Sequence, residues 1–499
     1  MFPVYVRYRW VEWKTKSLSE EAKSREFEAL HAKDAPKVLE TILRLRGIFI
    51  KMGQFACTRA DILPETYRNT LSFLFDQVPP LPGPEVRRIL EQSLGMPLDE
   101  VFDLFDEKAL GSASVGQVHR ATLKADGRKV VVKMQYPDVE SLFRTDFQTL
   151  HAFCKLAQPE FLPVFDEIEK QFMSELDFER EAANLAIVSA NMKRHYHDQV
   201  EVPEPISSLT RPNVIVMTYL DGIKLLDGIK AHVEKMASRM GVPMSVLLEE
   251  LRSGSSQQAQ KDSDQSAKAG PVINSKDRVR ELRRIARLAR FAVLTAWEDY
   301  TLPLARTLWN WTVGVIPALH WRVVPSLDFK GIMSTLVKVH GHQVLVDGVF
   351  NADAHPGNIF LLRDGRIGLI DYGQVSNLTP EQRVQYAKLY RALADNDKEA
   401  VEKTFTDMGF KSEKMLPEVV YKQAVINLDR DGPDVIPDPS MNLQQYNEYL
   451  AKVDKTITFP EGSLMIARCS MLLRGMGTLL GLPPVSIAQG WRQFTEEQV

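Results

Sequence analysis

Phosphoryl transfer asks a protein for a cation on the phosphates, carboxylate and amide oxygens on Mg²⁺, and a carboxylate to take a hydroxyl proton. The chain carries such a set. Lys133 ends Val130-Val-Val-Lys133, and Glu181 follows in a helical segment. Asn351-Ala-Asp353-Ala-His-Pro-Gly-Asn358 sets a carboxylate and an amide five residues apart, and Asp371-Tyr-Gly373 comes after a short β run. In that division of labour Lys133 meets the phosphates, Glu181 orients Lys133, Asp353 accepts the proton, and Asn358 and Asp371 hold the metal. Any one of them alone reads as an ordinary surface charge or loop residue. Their order and intervals together point to ATP or ADP with Mg²⁺.

These residues need elements to hold them. The β-rich runs GSASVGQVHRATL and KVVVKMQYP are joined through Asp126-Gly127, a hairpin signal, so Lys133 belongs to an antiparallel sheet. The loop Gly111-Ser-Ala113-Ser114-Val115-Gly116, with Gln117, keeps only the outer glycines of a GxGxxG. Ala113 to Gln117 are therefore expected to contact the nucleotide, with the Ala113 methyl restricting backbone approach. A helix from about 163 to 195 puts Asp177, Glu181 and Asn184 on one face. An apolar strand over 213–217 leads to a hinge at Tyr219-Leu-Asp-Gly, beside which Thr218 and Leu220 are assigned to the nucleotide.

The opening ninety residues read as helical. Ser17 with Glu20 forms a capping-box signature, and Pro36 is expected to start a second helix. From there Val38, Ile42, Leu45, Phe49, Met52 and Ala56 form one apolar face, while Arg44, Gly47, Lys51, Gln54 and Thr58 form a polar stripe. Lys51 and Gln54 are expected to point the same way; the plain alternative is a solvated face. Thr379-Pro-Glu-Gln382 is another capping box, starting a helix after only Gln374 to Leu378. That leaves no room for the peptide platform, ending in APE, on which protein substrates rest.

A chain of 499 residues, 44% hydrophobic and 25% charged, has the make-up of a folded protein of about three domains, not of a polytopic membrane protein. Lys+Arg 62 against Asp+Glu 65 excludes a nucleic-acid binder by bulk charge. Cys57, Cys154 and Cys469 are far apart, which suits a reducing compartment and small buried side chains. The amino terminus lacks a secretory pattern; Arg7, Arg9, Lys14 and Lys16 leave a degenerate organellar transit peptide open, with Glu12 and the lack of early Ser against it, and the longest apolar stretch, Thr307 to His320, is too short to span a bilayer. Residues 253–275 read as a disordered linker. Beyond it, 276–290 carries seven cations against two carboxylates and runs into Trp297, Tyr300, Trp309, Trp311 and Trp321. Residues 276–325 are expected either to rest on an anionic membrane or to be core aromatics beside a solvated basic helix.

Lys51-Met-Gly-Gln54 resembles the KxGQ motif of the UbiB-like, or ADCK, atypical kinases, and Glu175-Leu-Asp177 their ExD motif. Thr58-Arg-Ala-Asp61-Ile-Leu-Pro64, Asp76-Gln-Val-Pro-Pro80 and Ala113-Ser-Val-Gly-Gln117 are also similar to that family's text. The resemblance implies that the Lys51 and Gln54 helix lies across the active site, with Lys51 near Glu175 and Asp177 in a regulatory role. It implies a small-molecule or lipid substrate, or ATP hydrolysis, in isoprenoid-quinone or other lipid homeostasis at mitochondrial or plastid membranes. Asn351 stands where the family usually has His. The expected architecture is an α+β, two-lobed protein-kinase-like fold: a helical extension over 1–95, an N-lobe over 96–222, an insertion over 223–330 and a mostly helical C-lobe over 331–499. A nucleotide-binding pseudokinase scaffold and an orthodox protein kinase are the rival readings. The sequence leaves substrate and oligomeric state open.

Overall fold

The computed structural model describes residues 2–16, 19–58, 64–75, 78–112, 114–157, 169–241, 243 and 328–496, apart from 171, 174, 433, 439, 440, 442 and 481. The linker over 253–275, the basic and tryptophan-rich stretch over 276–325, Ala113, positions 59–63, 76 and 77, and the 158–168 part of the expected helix lie outside the described residues.

The chain divides into two compact units, one of Met1–Leu220, Ile370–Ser376 and Met441–Glu448, the other of Asp221–Leu369, Asn377–Ser440 and Tyr449–Val499. The helical extension and the sheet, read from sequence as separate regions, share the first unit. An apolar cluster explains why: Ile48 of the extension packs with Val115, Phe143, Phe147, Phe172 and Leu176.

In the first unit, helices α1 (Phe2–Lys14), α2 (Glu20–Leu45), α3 (Gly47–Thr58) and α4 (Glu65–Leu71) surround Ala35, Val38, Ile50, Tyr67, Leu71 and Leu74. Three local expectations change. The cap of α2 is Ser19, whose hydroxyl accepts from Ala22 N at 3.4 Å. Pro36 lies inside α2 and does not start a helix. Its missing N–H is tolerated because the turn is pinned by buried Ala35 and by Asp34, whose carboxylate accepts from Arg7 at 2.7 and 2.8 Å. The long amphipathic helix is also broken, at Arg46 and Gly47, both with positive φ (57° and 52°). The break rotates the apolar face, so that Ile48 and Ile50 are buried and Leu45 is exposed.

Strands β1 (Phe102–Phe105), β2 (Gly111–Ser112), β3 (Gly116–Leu123), β4 (Lys129–Gln135) and β5 (Val214–Thr218) make an antiparallel sheet ordered β1-β3-β4-β5, with β2 beside β3. Val130, Val132 and Met134 of β4 enter a core with Ala121, Leu123, Val214, Val216 and, from helix α5 (Gly83–Leu94), Val86 and Leu90. Strand alternation then puts Lys133 on the opposite face. At Gly116 a Cβ would stand 2.0 Å from Met134 O, so only glycine lets β3 approach β4 there. Helices α6 (Val139–Ala157) and α7 (Phe178–His195) also belong to the first unit.

In the second unit, β6 (Gly222–Lys224), β7 (Ile359–Leu362) and β8 (Ile367–Leu369) run antiparallel in that order. Helices α8 (Leu225–Met240), α9 (Phe329–His342), α10 (Pro380–Asp395), α11 (Lys398–Asp407), α12 (Pro417–Leu428), α13 (Ser463–Leu479) and α14 (Ile487–Thr495) follow the order of the chain. Trp491 of α14 is fully buried, donates to Val337 O at 2.9 Å and lies with its ring tilted 50° to that of Tyr390, centroids 4.6 Å apart. The Thr379 capping box opens α10, with both reciprocal hydrogen bonds made. Tyr390 and Ser470 both donate to Leu428 O, which ties α10, α12 and α13 together. Cys57 is half-buried and Cys469 buried; burial pushes the first thiol up to about 11 and the second up to about 12. Among the described residues no helix is long and apolar enough to cross a membrane.

Candidate active site

Lys133 Nζ donates to Glu181 Oε1 at 2.6 Å and lies 4.9 Å from the Phe178 ring. The β4 strand presents the lysine and the first turn of α7 presents the carboxylate. Both side chains are largely buried, so the pair stands in a weakened dielectric where each charge depends on the other. Burial opposes the lysine's charge, but the Asp371 and Glu181 carboxylates outweigh it and raise Lys133 above its ordinary value. Burial pushes Glu181 up to about 7; Lys133 opposes that rise and Asp371 adds to it. Asp371 itself has φ 65°, and its Oδ1 accepts from Gly373 N at 3.2 Å. That left-handed backbone at a non-glycine residue is sustained by the turn its own carboxylate closes.

A second lysine and carboxylate meet in the same unit. Lys51 Nζ donates to Glu175 Oε2 at 2.6 Å, and Gln374 Nε2 donates to Glu175 Oε1 at 2.5 Å. Glu175 therefore takes one donor on each oxygen. The structure parts Lys51 from Gln54, whose Nε2 donates to Leu74 O at 2.8 Å and ties α3 to the 72–75 turn. It also separates Asp177 from the α7 face: Asp177 is the helix N-cap, accepting from Arg180 N at 2.9 Å. A carboxylate before the first turn satisfies orphan N–H groups, so Glu175 alone of the two acids contacts Lys51.

Of the residues assigned to a nucleotide, Ser114 is buried and Val115 packs into the Ile48 cluster. Gln117 Oε1 accepts from Leu81 N at 2.7 Å and its Nε2 sits 2.7 Å from His119 Nε2, which holds it within the sheet layer. Thr218 Oγ1 accepts from Glu204 N at 2.9 Å, and Leu220 is buried.

In the second unit, Asp353 Oδ1 accepts from Arg468 Nη2 of α13 at 2.7 Å, and His355 Nε2 lies 3.9 Å from its Oδ2. Asn351 Oδ1 accepts from Asp353 N at 2.8 Å, so this amide braces the loop from within. Asn358 Nδ2 donates to Asp353 O at 3.3 Å, which leaves its Oδ1 as the acceptor of that side chain. Among the described residues no group of three His, Cys, Asp or Glu forms a ready metal cage. Asn358 Oδ1 is an oxygen of the kind Mg²⁺ takes, since that ion binds through one or two protein oxygens plus phosphates and water.

Sequence reading missed Arg468 and Gln374. Arg468 and Arg474 are the two charges of an otherwise uncharged α13, which is the one signal that they have partners inside the protein. Arg474 is buried and donates to Ile426 O at 2.8 Å.

A family model described as the ABC1 atypical kinase-like domain matches residues 73–251 and 322–405. The chain is 29% identical over 382 residues to the protein ACTIVITY OF BC1 COMPLEX KINASE 8, chloroplastic, of Arabidopsis thaliana, covering 74% of this chain and 38% of that one. It is 38% identical over 194 residues to the probable protein kinase UbiB of Aeromonas hydrophila, covering 37% and 35% of the two chains. It is 37% identical over 215 residues to the AarF domain-containing protein kinase 1 of Xenopus tropicalis, covering 41% and 40%. The match thus spans well under half the length of each of these relatives. With its protein-kinase-like α+β fold, the chain belongs to the ABC1 atypical kinase-like family, the UbiB and ADCK group.

Proposed function

We propose that the chain binds ATP or ADP with Mg²⁺ and works as an atypical kinase or ATPase on a small-molecule or lipid substrate. The observation that carries this reading is the buried Lys133–Glu181 pair at 2.6 Å, with the Asp371 charge acting on both members. Carboxylates in excess around one ammonium suit a metal-bound triphosphate: phosphate oxygens take the lysine, and a divalent cation takes the surplus negative charge. We assign Asp371 and Asn358 Oδ1 to Mg²⁺, which when bound neutralises charge building on the phosphates. Asp353 is assigned the proton of the attacking hydroxyl or water.

Two features favour a small substrate over a peptide. The KxGQ helix reaches Glu175 through Lys51, and only Gln374 to Leu378 separate Gly373 from the Thr379 cap. A place in isoprenoid-quinone or other lipid homeostasis at a mitochondrial or plastid membrane follows from the motif resemblance, and the chloroplastic relative is in line with the plastid. The second reading, a scaffold that binds nucleotide without turnover, draws on one contact: Arg468 occupies an oxygen of Asp353.

Thermal unfolding with and without Mg²⁺-ATP, followed by phosphate release, tests the proposal. It expects stabilisation that needs both metal and nucleotide, together with slow release that Asp353→Asn suppresses. No stabilisation overturns the nucleotide reading. Stabilisation with no release above background favours the scaffold.

A further inference from the structure

Glu175 is held from two remote parts of the chain at once. Lys51 of α3, 124 positions before it, donates to Oε2 at 2.6 Å, and Gln374, 199 positions after it, donates to Oε1 at 2.5 Å. An ionised carboxylate only accepts, so the Gln374 atom facing it is the amide nitrogen. The glutamate side chain is 13% exposed and that of the lysine 22%, so the ion pair is more than a solvated surface contact. Gln374 is also on a short tether. Two residues part it from Asp371: Tyr372, whose side chain is fully buried, and Gly373, whose N–H donates to Asp371 Oδ1 at 3.2 Å. A turn closed by its own hydrogen bond and anchored by a buried ring moves as one piece, so a displacement of Asp371 is passed to Gln374.

We propose that Gln374 is a positioning residue: through Glu175 it couples the Asp371 turn to the helix that carries Lys51. What the coupling serves rests on the nucleotide reading, since Asp371 is the residue assigned to the metal. The residue type fits the task. A neutral amide fixes one oxygen of Glu175 without cancelling its charge, which stays available to Lys51; a cation at that position would compete with Lys51, and a carboxylate would repel Glu175. Without that donor the Glu175 side chain regains rotamer freedom and the Lys51 ammonium loses a fixed partner. The charge of Glu175 also bears on Lys133 and Glu181, so its placement matters to the site as well as to α3. Such a coupling is reciprocal: a ligand that shifts the Asp371 turn changes the hold on Lys51, and loss of Lys51 changes binding at the turn by the same factor. The rival account makes Gln374 a brace of its own loop, without influence on α3 or on ligand choice.

The test is a cycle on the full chain: Lys51→Met, Gln374→Met, which keeps the reach and removes the donor, and the two together. Without nucleotide, Gln374→Met should speed amide hydrogen exchange over residues 47–58 by about three- to tenfold, the scale of one hydrogen bond to a charged group, and Lys51→Met should do the same over 371–376. With Mg²⁺, the ratio of ADP to ATP affinity from titration calorimetry should shift in Lys51→Met, shift in the same direction in Gln374→Met, and shift no further in the double variant. A plain brace of the loop would not move that ratio together with Lys51. Gln374→Ala takes the place of Gln374→Met in the cycle if the latter does not fold. Additive effects on the ratio, a ratio that loss of Gln374 leaves unmoved, or exchange in α3 indifferent to that loss overturns the proposal. A wild type that binds neither nucleotide removes the nucleotide reading and not the coupling, which the exchange cycle then decides: faster exchange in both segments, no faster in the double variant, sustains it, and unchanged exchange overturns it.

Discussion

Arg468 holds Asp353 by a 2.7 Å hydrogen bond that bridges 115 positions of chain. It joins the middle of α13 to the loop expected to carry the proton acceptor. An oxygen that accepts from a guanidinium is less available to accept from a substrate hydroxyl. Arg468→Ala should therefore raise phosphate release, by roughly two- to tenfold if that oxygen governs proton transfer. The double variant with Asp353→Asn should fall to the level of Asp353→Asn alone. Release that drops in Arg468→Ala would show instead that the arginine positions the carboxylate productively.

Removing Glu181 takes the hydrogen-bonded partner from buried Lys133 and leaves it only the Asp371 and Glu175 charges. Loss of one partner from a buried pair is costly, so Glu181→Ala should destabilise the chain by about 3 kcal/mol in denaturant unfolding. Nucleotide-dependent stabilisation should vanish with it. A variant that unfolds at the wild-type denaturant concentration would mean that Lys133 is well solvated without its partner.

The same carboxylate sets a pH dependence. Burial pushes Glu181 up to about 7 from an ordinary 4.5, so between those values the folded chain holds a proton that the unfolded chain has released. Its contribution to stability is then largest at low pH and is lost as pH rises through that window, a change of about 3 kcal/mol. The stability of the wild type relative to Glu181→Gln should fall between about pH 4.5 and about pH 7. A constant difference across that range would contradict the assignment.

Gly53 of the KxGQ motif packs where a Cβ would lie 2.5 Å from Leu74 Cδ1, and Leu74 is fully buried. Gly53→Ala should push α3 off the 72–75 turn, cost about 1–3 kcal/mol and loosen the Gln54 bond to Leu74 O. Lys51→Ala should leave the fold intact but alter the preference between ADP and ATP, read as the difference in their thermal shifts. An unaltered preference would place α3 outside the nucleotide's reach.

What the sequence disclosed depended on the range of the interaction. The Asp126-Gly127 hairpin that puts Lys133 in an antiparallel sheet and the Thr379 cap are local chemistry, and each is present where turn and cap residues put it. The break at Arg46 and Gly47 is marked only by Gly47, which ends a helix as readily as it fits the polar stripe of one. Pro36 misled for the converse reason: packing around Ala35 and the Arg7 clasp override a strong local signal. Asp177 looked like one of three acceptors along a helix, yet it stands one residue before the helix and caps it. Arg468 and Gln374 reach partners 115 and 199 positions away, and a lone sequence does not encode such pairings.

The central claim is that Lys133 and Asp371 together hold a metal-bound nucleotide. Titration calorimetry of ADP into the wild type, Lys133→Met and Asp371→Asn, with and without Mg²⁺, tests it most directly. The account predicts Mg²⁺-dependent binding in the wild type, at least tenfold weaker binding in Asp371→Asn, about 1.4 kcal/mol or more, and none measurable in Lys133→Met. Undiminished Mg²⁺-dependent affinity in both variants would contradict it.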